Sequence, residues 1–461
     1  MTSIILLSVF GIINLFVGFL KSKKILLPLA LLFLIVVFGV NLLGWNNTQT
    51  YFNNMLTIDN YAVAFTGIMT LTTLLILPFS QSYIDKEDDN LAEYYSLLLF
   101  SLVGTIMMVG YENMIMLFIG VEIVSIAMYV LAGSNKRSLR SNEAALKYFL
   151  MGSFFTGVLL FGIVLMYGAT GTFNITEINA AQIAAADGIT NTIFVLGLLL
   201  LVIGISFKIS AAPFHFWAPD VYEGTPTLFT TFMATVVKTA GVAAFYKLMM
   251  AAFEPSFSVW FPTMIAITVL TLVVGNIGAV IQTNMKRMLA YSSVSHAGYL
   301  LMTLVAFNDL SKNALFFYSV AYAFASIISF GILKLVEDSR GGSTFESFNG
   351  LGKTNPLLAF MMTVSMLSLA GIPLTAGFFG KLFVFSAVVQ TGNLMWLIVL
   401  AVILAAIGIY YYIKVVIAMY LHPADEKEKV TVSGFANLVL IICTALTILL
   451  GIAPGLLSNI F

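Results

Sequence analysis

Four ionisable side chains stand where apolar sequence surrounds them on both sides: Glu122, Lys208, Lys238 and Lys381. A fifth, Lys147, lies roughly two turns into another apolar run. Such a group at the centre of a membrane helix costs about 2.5–3.5 kcal/mol, so five cost on the order of 10 kcal/mol unless they meet one another or water. One carboxylate cannot neutralise three central lysines as fixed pairs. Low dielectric penalises the charged form of an acid and of a base alike, so such groups can take up and release protons. That is the chemistry of a proton relay. The plainer alternative is structural ion pairs and snorkelling lysines; it applies to Lys147, near an interface, and to Lys334 and Lys414, close to the ends of their runs. His215 and His296 join the set as secondary positions, because imidazole titrates near neutrality. His296 stands among hydroxyls in Tyr291-Ser292-Ser293-Val294-Ser295-His296-Ala297-Gly298-Tyr299. Either histidine reads equally well as a satisfied structural residue. Asp220 and Glu223 read as capping or loop residues.

Two runs carry both a lysine and helix-breaking residues. One reads Ile205-Ser206-Phe207-Lys208-Ile209-Ser210-Ala211-Ala212-Pro213-Phe214-His215, the other Ala370-Gly371-Ile372-Pro373-Leu374-Thr375-Ala376-Gly377-Phe378-Phe379-Gly380-Lys381. Proline removes a helix hydrogen bond and glycine tolerates left-handed backbone, so each run breaks at membrane depth. Backbone groups freed there survive only where they line a polar cavity.

The elements that position these residues follow from composition. Hydrophobic residues make up 60% of the 461 and charged residues 9%, with a mean hydropathy of +1.01. A soluble domain carries about a quarter charged residues, so lipid is the solvent for most of this chain. Apolar runs of about 20 residues cross a hydrocarbon core as helices, whereas a membrane barrel would show short alternating segments. The pattern predicts an all-α membrane protein of about 14 transmembrane helices, near 2–20, 25–44, 61–82, 94–110, 113–132, 146–169, 191–219, 226–248, 258–281, 288–306, 313–336, 357–388, 394–420 and 434–456. The 170–190 connection (Asn174 through Asp187) reads as a short external helix. Connections after odd-numbered spans hold Lys21, Lys23, Lys24, Lys86, Lys136, Arg137, Arg140, Lys286, Arg287, Arg340, Lys353, Lys427 and Lys429; the others hold Lys247 and Lys312. The positive-inside rule then predicts both termini outside.

The two breaks sit five helices apart, an odd offset that reverses direction through the membrane. Helices four to eight and nine to thirteen therefore read as inverted repeats, an arrangement found in transporters. The domain reading is 1–93 for helices 1–3, 94–250 and 258–420 for the two repeats, and 434–461 for the last helix. The single cysteine, Cys443, and three scattered histidines have no metal-site or thioredoxin-type spacing. No Gly-rich phosphate loop follows a strand, and a net charge of zero gives no sign of a nucleic-acid partner. No metal and no cofactor is expected in this chain.

At four segments the sequence resembles the antiporter-like membrane subunits of respiratory complex I. These are Ser206 to Thr227 (SFKISAAPFHFWAPDVYEGTPT), Met285 to Tyr299 (MKRMLAYSSVSHAGY), Asn142 to Ser153 (NEAALKYFLMGS) and Ser368 to Phe383 (SLAGIPLTAGFFGKLF). The similarity covers essentially the whole chain, and the HFWAPDVYEGTPT stretch is most similar to the subunit N branch. The resemblance implies fourteen helices, two inverted five-helix repeats, broken helices 7 and 12, and a location in the bacterial plasma (inner) membrane. It also implies proton translocation coupled to electron transfer from NADH to quinone, with NADH, FMN, iron–sulfur clusters and quinone held by partner subunits. Neighbouring antiporter-like and small membrane subunits are the implied partners. Glu122, Lys208, Lys238 and Lys381 match the family's principal charged positions; Lys147, His215 and His296 match further polar-axis positions. A carboxylate beside an ammonium stabilises it, so separating Glu122 from Lys208 would favour proton release, with Lys238 linking onward through water to Lys381. Three alternatives stand beside this reading: the same fold in a cation/proton antiporter or membrane-bound hydrogenase, a stand-alone solute permease, and a spacer that has lost pumping. No motif selects protons over sodium.

Overall fold

The computed structural model describes residues 1–85, 90–184, 189–423 and 429–461; Lys86, Asp187 and Lys427, used in the charge and loop readings above, lie outside the described residues. Among those described, twelve helices are long and apolar enough to cross a membrane. Three apolar helices are shorter: Thr2–Val17, Pro356–Ala370 and Ala376–Val389. The run expected to span 357–388 is two half-helices, and that expected at 191–219 ends as Ile189–Lys208, followed after a non-helical link by Trp217–Gly224. The predicted connection helix is Ile175–Ala184. A two-stranded hairpin, Gln49–Tyr51 with Leu56–Ile58, had no clear sequence signal.

Burial runs opposite to hydropathy. The helix Lys23–Leu42 is the most apolar, at 2.8, and 39% of it is buried, whereas Met285–Ala306 is the least, at 1.2, and 94% of it is buried. Lipid accepts the apolar faces, so the helices that carry hydroxyls, histidine and lysine belong inside. Polar side chains tie helices together across the interior. Asn14 donates to the Ala92 carbonyl at 2.9 Å and Asn41 to that of Val63 at 2.8 Å. With no hydrophobic drive between helices in lipid, such bonds and close packing set the arrangement.

The chain divides into two compact units. The first comprises Met1–Leu74, Glu87–Trp217 and Val236–Ile267; the second Leu75–Lys86, Ala218–Thr235 and Thr268–Phe461. Within the first, Asn113 caps the helix Met114–Ala132, its side chain accepting from the Ile115 amide. The long helix Leu139–Thr170 ends on the left-handed Gly171, after which Asn174 pairs back to Asn113. The second unit repeats this construction. Asn284 caps Met285–Ala306, Asp309–Arg340 ends on the left-handed Gly341, and Thr344 pairs back to Asn284. Both long helices have 32 residues.

The two breaks share one local solution. In the first unit the Ser210 amide bonds to the Phe207 carbonyl and that of Ala211 to Ser206, with Ser210 at φ 61°. In the second, Gly371 bonds to Ser368 and Ile372 to Leu367, with Gly371 at φ 85°. Each is a Schellman closure, which turns the last carbonyls inward and requires left-handed backbone one residue past the cap. Glycine meets that requirement in the second break; in the first a serine bears it. The second break is also tight: a Cβ on Gly377 would stand 1.8 Å from the Ser368 carbonyl oxygen.

Left-handed backbone costs a non-glycine residue about 1–2 kcal/mol. Ser210→Gly is therefore expected to raise stability by about 1 kcal/mol, and Gly371→Ala to lower it by about 1–2 kcal/mol. Gly377→Ala is expected to lose more, by overpacking. Thermal unfolding of the purified protein in mild detergent measures all three.

Candidate functional site: lysines at two helix breaks

In the first unit the site is built on one face of Met114–Ala132. Glu122, Ser125 and Tyr129 recur at helical spacing along it. Lys208, the last residue of its helix, donates from Nζ to Ser125 Oγ at 2.8 Å and to Tyr129 OH at 3.5 Å. Lys208 thus turns to two neutral hydroxyls, and Glu122 lies on the same helix face as both. Glu122 Oε1 is buried and has no hydrogen-bond partner among the described residues. Gly152, on the neighbouring helix, makes room for the tyrosine, since a Cβ there would lie 2.0 Å from Tyr129 OH.

The link after Lys208 is anchored by aromatic packing. Trp217 Nε1 donates to the Phe207 carbonyl at 3.0 Å, and Trp217 stacks on Tyr148 at 4.7 Å. Phe155 stacks on Phe207 at 4.3 Å. His215 is half-buried within this link. Lys238 is 2% exposed, on a helix whose π-turn, Met233–Val237, ends directly before it. Wide turns of this kind recur at functional positions. Gly241, on the same helix, abuts Ile209 in the break. The structure thus brings Glu122 and Lys208 onto one site and the Lys238 helix against the link that follows. Lys147 stands apart from that cluster: it pairs with Glu143 at 2.7 Å, with 39% and 62% of the two side chains exposed. Its helix begins at Leu139, earlier than the sequence suggested.

In the second unit Lys381 is 7% exposed, on the half-helix that follows the break. Its Nζ donates to the carbonyls of Leu369 at 3.0 Å and Ala370 at 2.7 Å, and lies 4.8 Å from the centre of the Tyr299 ring. Those carbonyls are the orphans of the half-helix Pro356–Ala370, at the negative end of its dipole. Gly371 leaves space for the lysine, because a Cβ there would stand 2.8 Å from Lys381 Cδ. His296 is buried nearby in the same unit, with Nδ1 2.7 Å from Tyr318 OH and Nε2 3.1 Å from Tyr412 OH. A cavity of about 10 Å³ is lined by His296, Tyr318, Ser368, Leu369 and Gly377, among others. That is the lower limit for one ordered water.

The two lysines are not equivalent. Counted from Ser210 and Gly371, the position of Lys208 in the second break is Leu369. Counted from the caps Asn113 and Asn284, the position of Ser125 is His296. One break carries its cation before the turn, the other after it.

Sequence reasoning did not pick out Ser125, Tyr129, Tyr318 or Tyr412. The first two were discoverable from their spacing with Glu122; the others stand on separate helices. It also misjudged Lys334, expected to snorkel: the residue is 5% exposed, bonded to Asp338 at 2.6 Å and Ser82 at 2.8 Å. Lys286, assigned to a loop, is also 5% exposed and donates to the Thr225 carbonyl at 2.6 Å. Asp220 and Glu223 hold Arg287, at 2.7 and 3.0 Å, in keeping with a structural role. Among the described residues no group of three His, Cys, Asp or Glu could hold a metal ion.

Residues 112–408 match the family described as "NADH:quinone oxidoreductase/Mrp antiporter, TM". NADH-quinone oxidoreductase subunit N of Cytophaga hutchinsonii is 45% identical, over all of this chain and 99% of that one. The subunit N of Flavobacterium psychrophilum is 38% identical over both chains in full. Among solved structures, a chain of respiratory complex I from Thermus thermophilus superposes with a TM-score of 0.84 at 30% identity, covering 99% of this chain and 98% of that one. A chain of the archaeal membrane-bound sulfane sulfur reductase reaches 0.88 at 26% identity, over 99% of this chain and 96% of that one. On a family match over 112–408 and full-length relatives at 38–45% identity, the chain belongs to the NADH:quinone oxidoreductase/Mrp antiporter membrane family, in the subunit N branch of NADH-quinone oxidoreductase.

Proposed function

We propose that this chain is a proton-translocating membrane subunit of NADH:quinone oxidoreductase, coupled at a distance to electron transfer in other subunits. The observation that carries the reading is that the lysines at both breaks, Lys208 half-buried and Lys381 buried, are held by neutral oxygens. Lys208 rests on two hydroxyls and Lys381 on two carbonyls. A fixed ion pair locks a lysine in its charged form, whereas these partners serve either protonation state. A neutral amine keeps N–H groups to donate to carbonyls, and a hydroxyl either accepts from an ammonium or donates to an amine. Glu122 biases Lys208 without gripping it, so a change in its charge alters how firmly the lysine holds its proton. Lys238 and then Lys381 carry the proton onward, with His215, His296 and Lys147 in secondary roles.

In this reading Thr2–Val17 is one crossing and the two halves Pro356–Ala370 and Ala376–Val389 form another, which makes fourteen. Both termini lie on the outer face of the bacterial plasma membrane, and residues 94–250 and 258–420 are inverted repeats. Neighbouring antiporter-like and small membrane subunits flank the chain. NADH, FMN, iron–sulfur clusters and quinone belong to other subunits. The full-length 45% identity to a subunit N favours this assembly over the sulfane sulfur reductase, whose chain shares 26%.

Lys238→Met keeps the bulk of the side chain and removes the proton-binding atom. In an assembled complex in liposomes it is expected to lower protons moved per NADH oxidised, with assembly intact; an unchanged ratio counts against the reading. Ser125→Ala with Tyr129→Phe removes both oxygens from Lys208 and leaves a half-buried lysine without those partners. That pair is expected to slow coupled turnover about 10-fold or more, because it misplaces Lys208, and a positioned proton-transfer group contributes about 10²–10⁴. Proton uptake followed with a pH-sensitive dye, alongside NADH oxidation, measures the loss.

A further inference from the structure

We propose that Lys286, Arg287 and Glu337 are positioning residues for the relay, an ionic clamp on the segment that joins Lys208 to Lys238. The inference deepens the proton-translocating reading and rests on it. Residues 218–235 of that segment belong to the second compact unit, although both lysines belong to the first.

The clamp is made of charges that stand at the wrong ends of their helices. Lys286 and Arg287 are the second and third residues of Met285–Ala306, where the helix dipole is positive. Glu337 lies in the last turn of Asp309–Arg340, where it is negative. Each placement is unfavourable alone, and each is answered by an opposite charge. Lys286 Nζ lies 3.9 Å from Glu337 Oε1, while Arg287 reaches Asp220 at 2.7 Å and Glu223 at 3.0 Å. Asp220 and Glu223 stand one turn apart on Trp217–Gly224, so one guanidinium holds both.

The segment is interrupted again between Trp217–Gly224 and Thr227–Phe232, at Thr225 and Pro226. The Phe229 and Thr230 amides both bond to the Pro226 carbonyl, at 2.9 and 3.1 Å. The Thr225 carbonyl accepts instead from Thr230 Oγ1 at 3.2 Å and from Lys286 Nζ at 2.6 Å. Glu337 completes the grip by accepting from the Thr227 hydroxyl. Lys286, Thr225 and Thr227 are buried, so these bonds lie where water competes little. Lys208 and Lys381 rest on neutral oxygens, whereas Lys286 stands between a carbonyl and a carboxylate. That is the setting of an anchor rather than of a proton carrier.

The two helices that do the holding also line the cavity of the second unit. His296 follows Lys286 on Met285–Ala306 by about 15 Å, and Tyr318 precedes Glu337 on Asp309–Arg340 by about 28 Å. Through the clamp, a shift of either helix reaches the segment that joins Lys208 to Lys238.

Lys286→Met is expected to slow coupled turnover of the complex in liposomes about 10-fold, since small displacements far from the chemistry carry costs of that order. Lys286→Arg keeps the charge and its donors but cannot give up a proton, so it is expected to stay within about 2-fold of wild type. Lys238→Arg, at a carrier position, is expected to fall as far as Lys238→Met. Equal losses in Lys286→Arg and Lys286→Met would make Lys286 a carrier and overturn the clamp. Hydrogen exchange of the intact complex, read by mass spectrometry, reports the segment directly. Lys286→Met and Glu337→Gln are each expected to speed exchange over residues 218–232 about 10-fold and to leave 114–132 unchanged. Unchanged exchange over 218–232, or an equal rise in both stretches, would overturn the proposal. Glu337→Gln keeps the side chain's shape and carries the test if Lys286→Met does not assemble. Wild-type turnover in Lys286→Met with a loss in Lys238→Met would overturn the clamp alone; wild-type proton transfer in Lys238→Met would overturn the reading beneath it.

Discussion

A helix that stops inside hydrocarbon leaves carbonyl groups with no water to receive them, and each costs several kcal/mol if left alone. The second unit meets this demand with a lysine. Lys381 returns from the following half-helix to donate to Leu369 and Ala370. The arrangement solves two problems with one contact, because the ammonium also needs partners that lipid cannot provide. Gly371 gives the left-handed turn and the space for the lysine stem, and Tyr299 offers a ring face to the cation. Broken backbone and buried charge are therefore each other's solvent.

The first unit reaches the same end by another route. Its break closes with the same Schellman pattern, but the lysine precedes the turn and looks across to a neighbouring helix. Ser125 and Tyr129 receive it, while Gly152 lets the tyrosine approach. Both partners are neutral oxygens, and Glu122 lies on the same face of their helix. Repeated architecture has here been fitted with different chemistry: a serine–lysine contact in one unit, a histidine between two tyrosines in the other.

Much of the site was legible before the fold. Glu122, Lys208, Lys238 and Lys381 announced themselves because a charge in an apolar run has no cheap explanation. Both breaks were visible in proline and glycine. The hydroxyl partners were not, since serine, threonine and tyrosine occur throughout membrane helices and only geometry separates a partner from a bystander. Lys334 shows the opposite error. Near the end of its helix it reads as a snorkelling residue, yet Asp338 and Ser82 hold it inside, and Ser82 lies far away in sequence.

By itself, then, the sequence determined a membrane solvent, most of the helices, the two places where they break and the four central charges. Each of these depends on local composition, which a linear string carries in full. The tertiary structure decided which oxygen each nitrogen meets, that Lys381 binds carbonyls before its own break and Lys208 a separate helix, and that His296 lies between two hydroxyls. Those pairings join residues from different helices, and helix contacts in lipid are set by close packing and polar bonds rather than by hydropathy. No pattern of apolar runs encodes them.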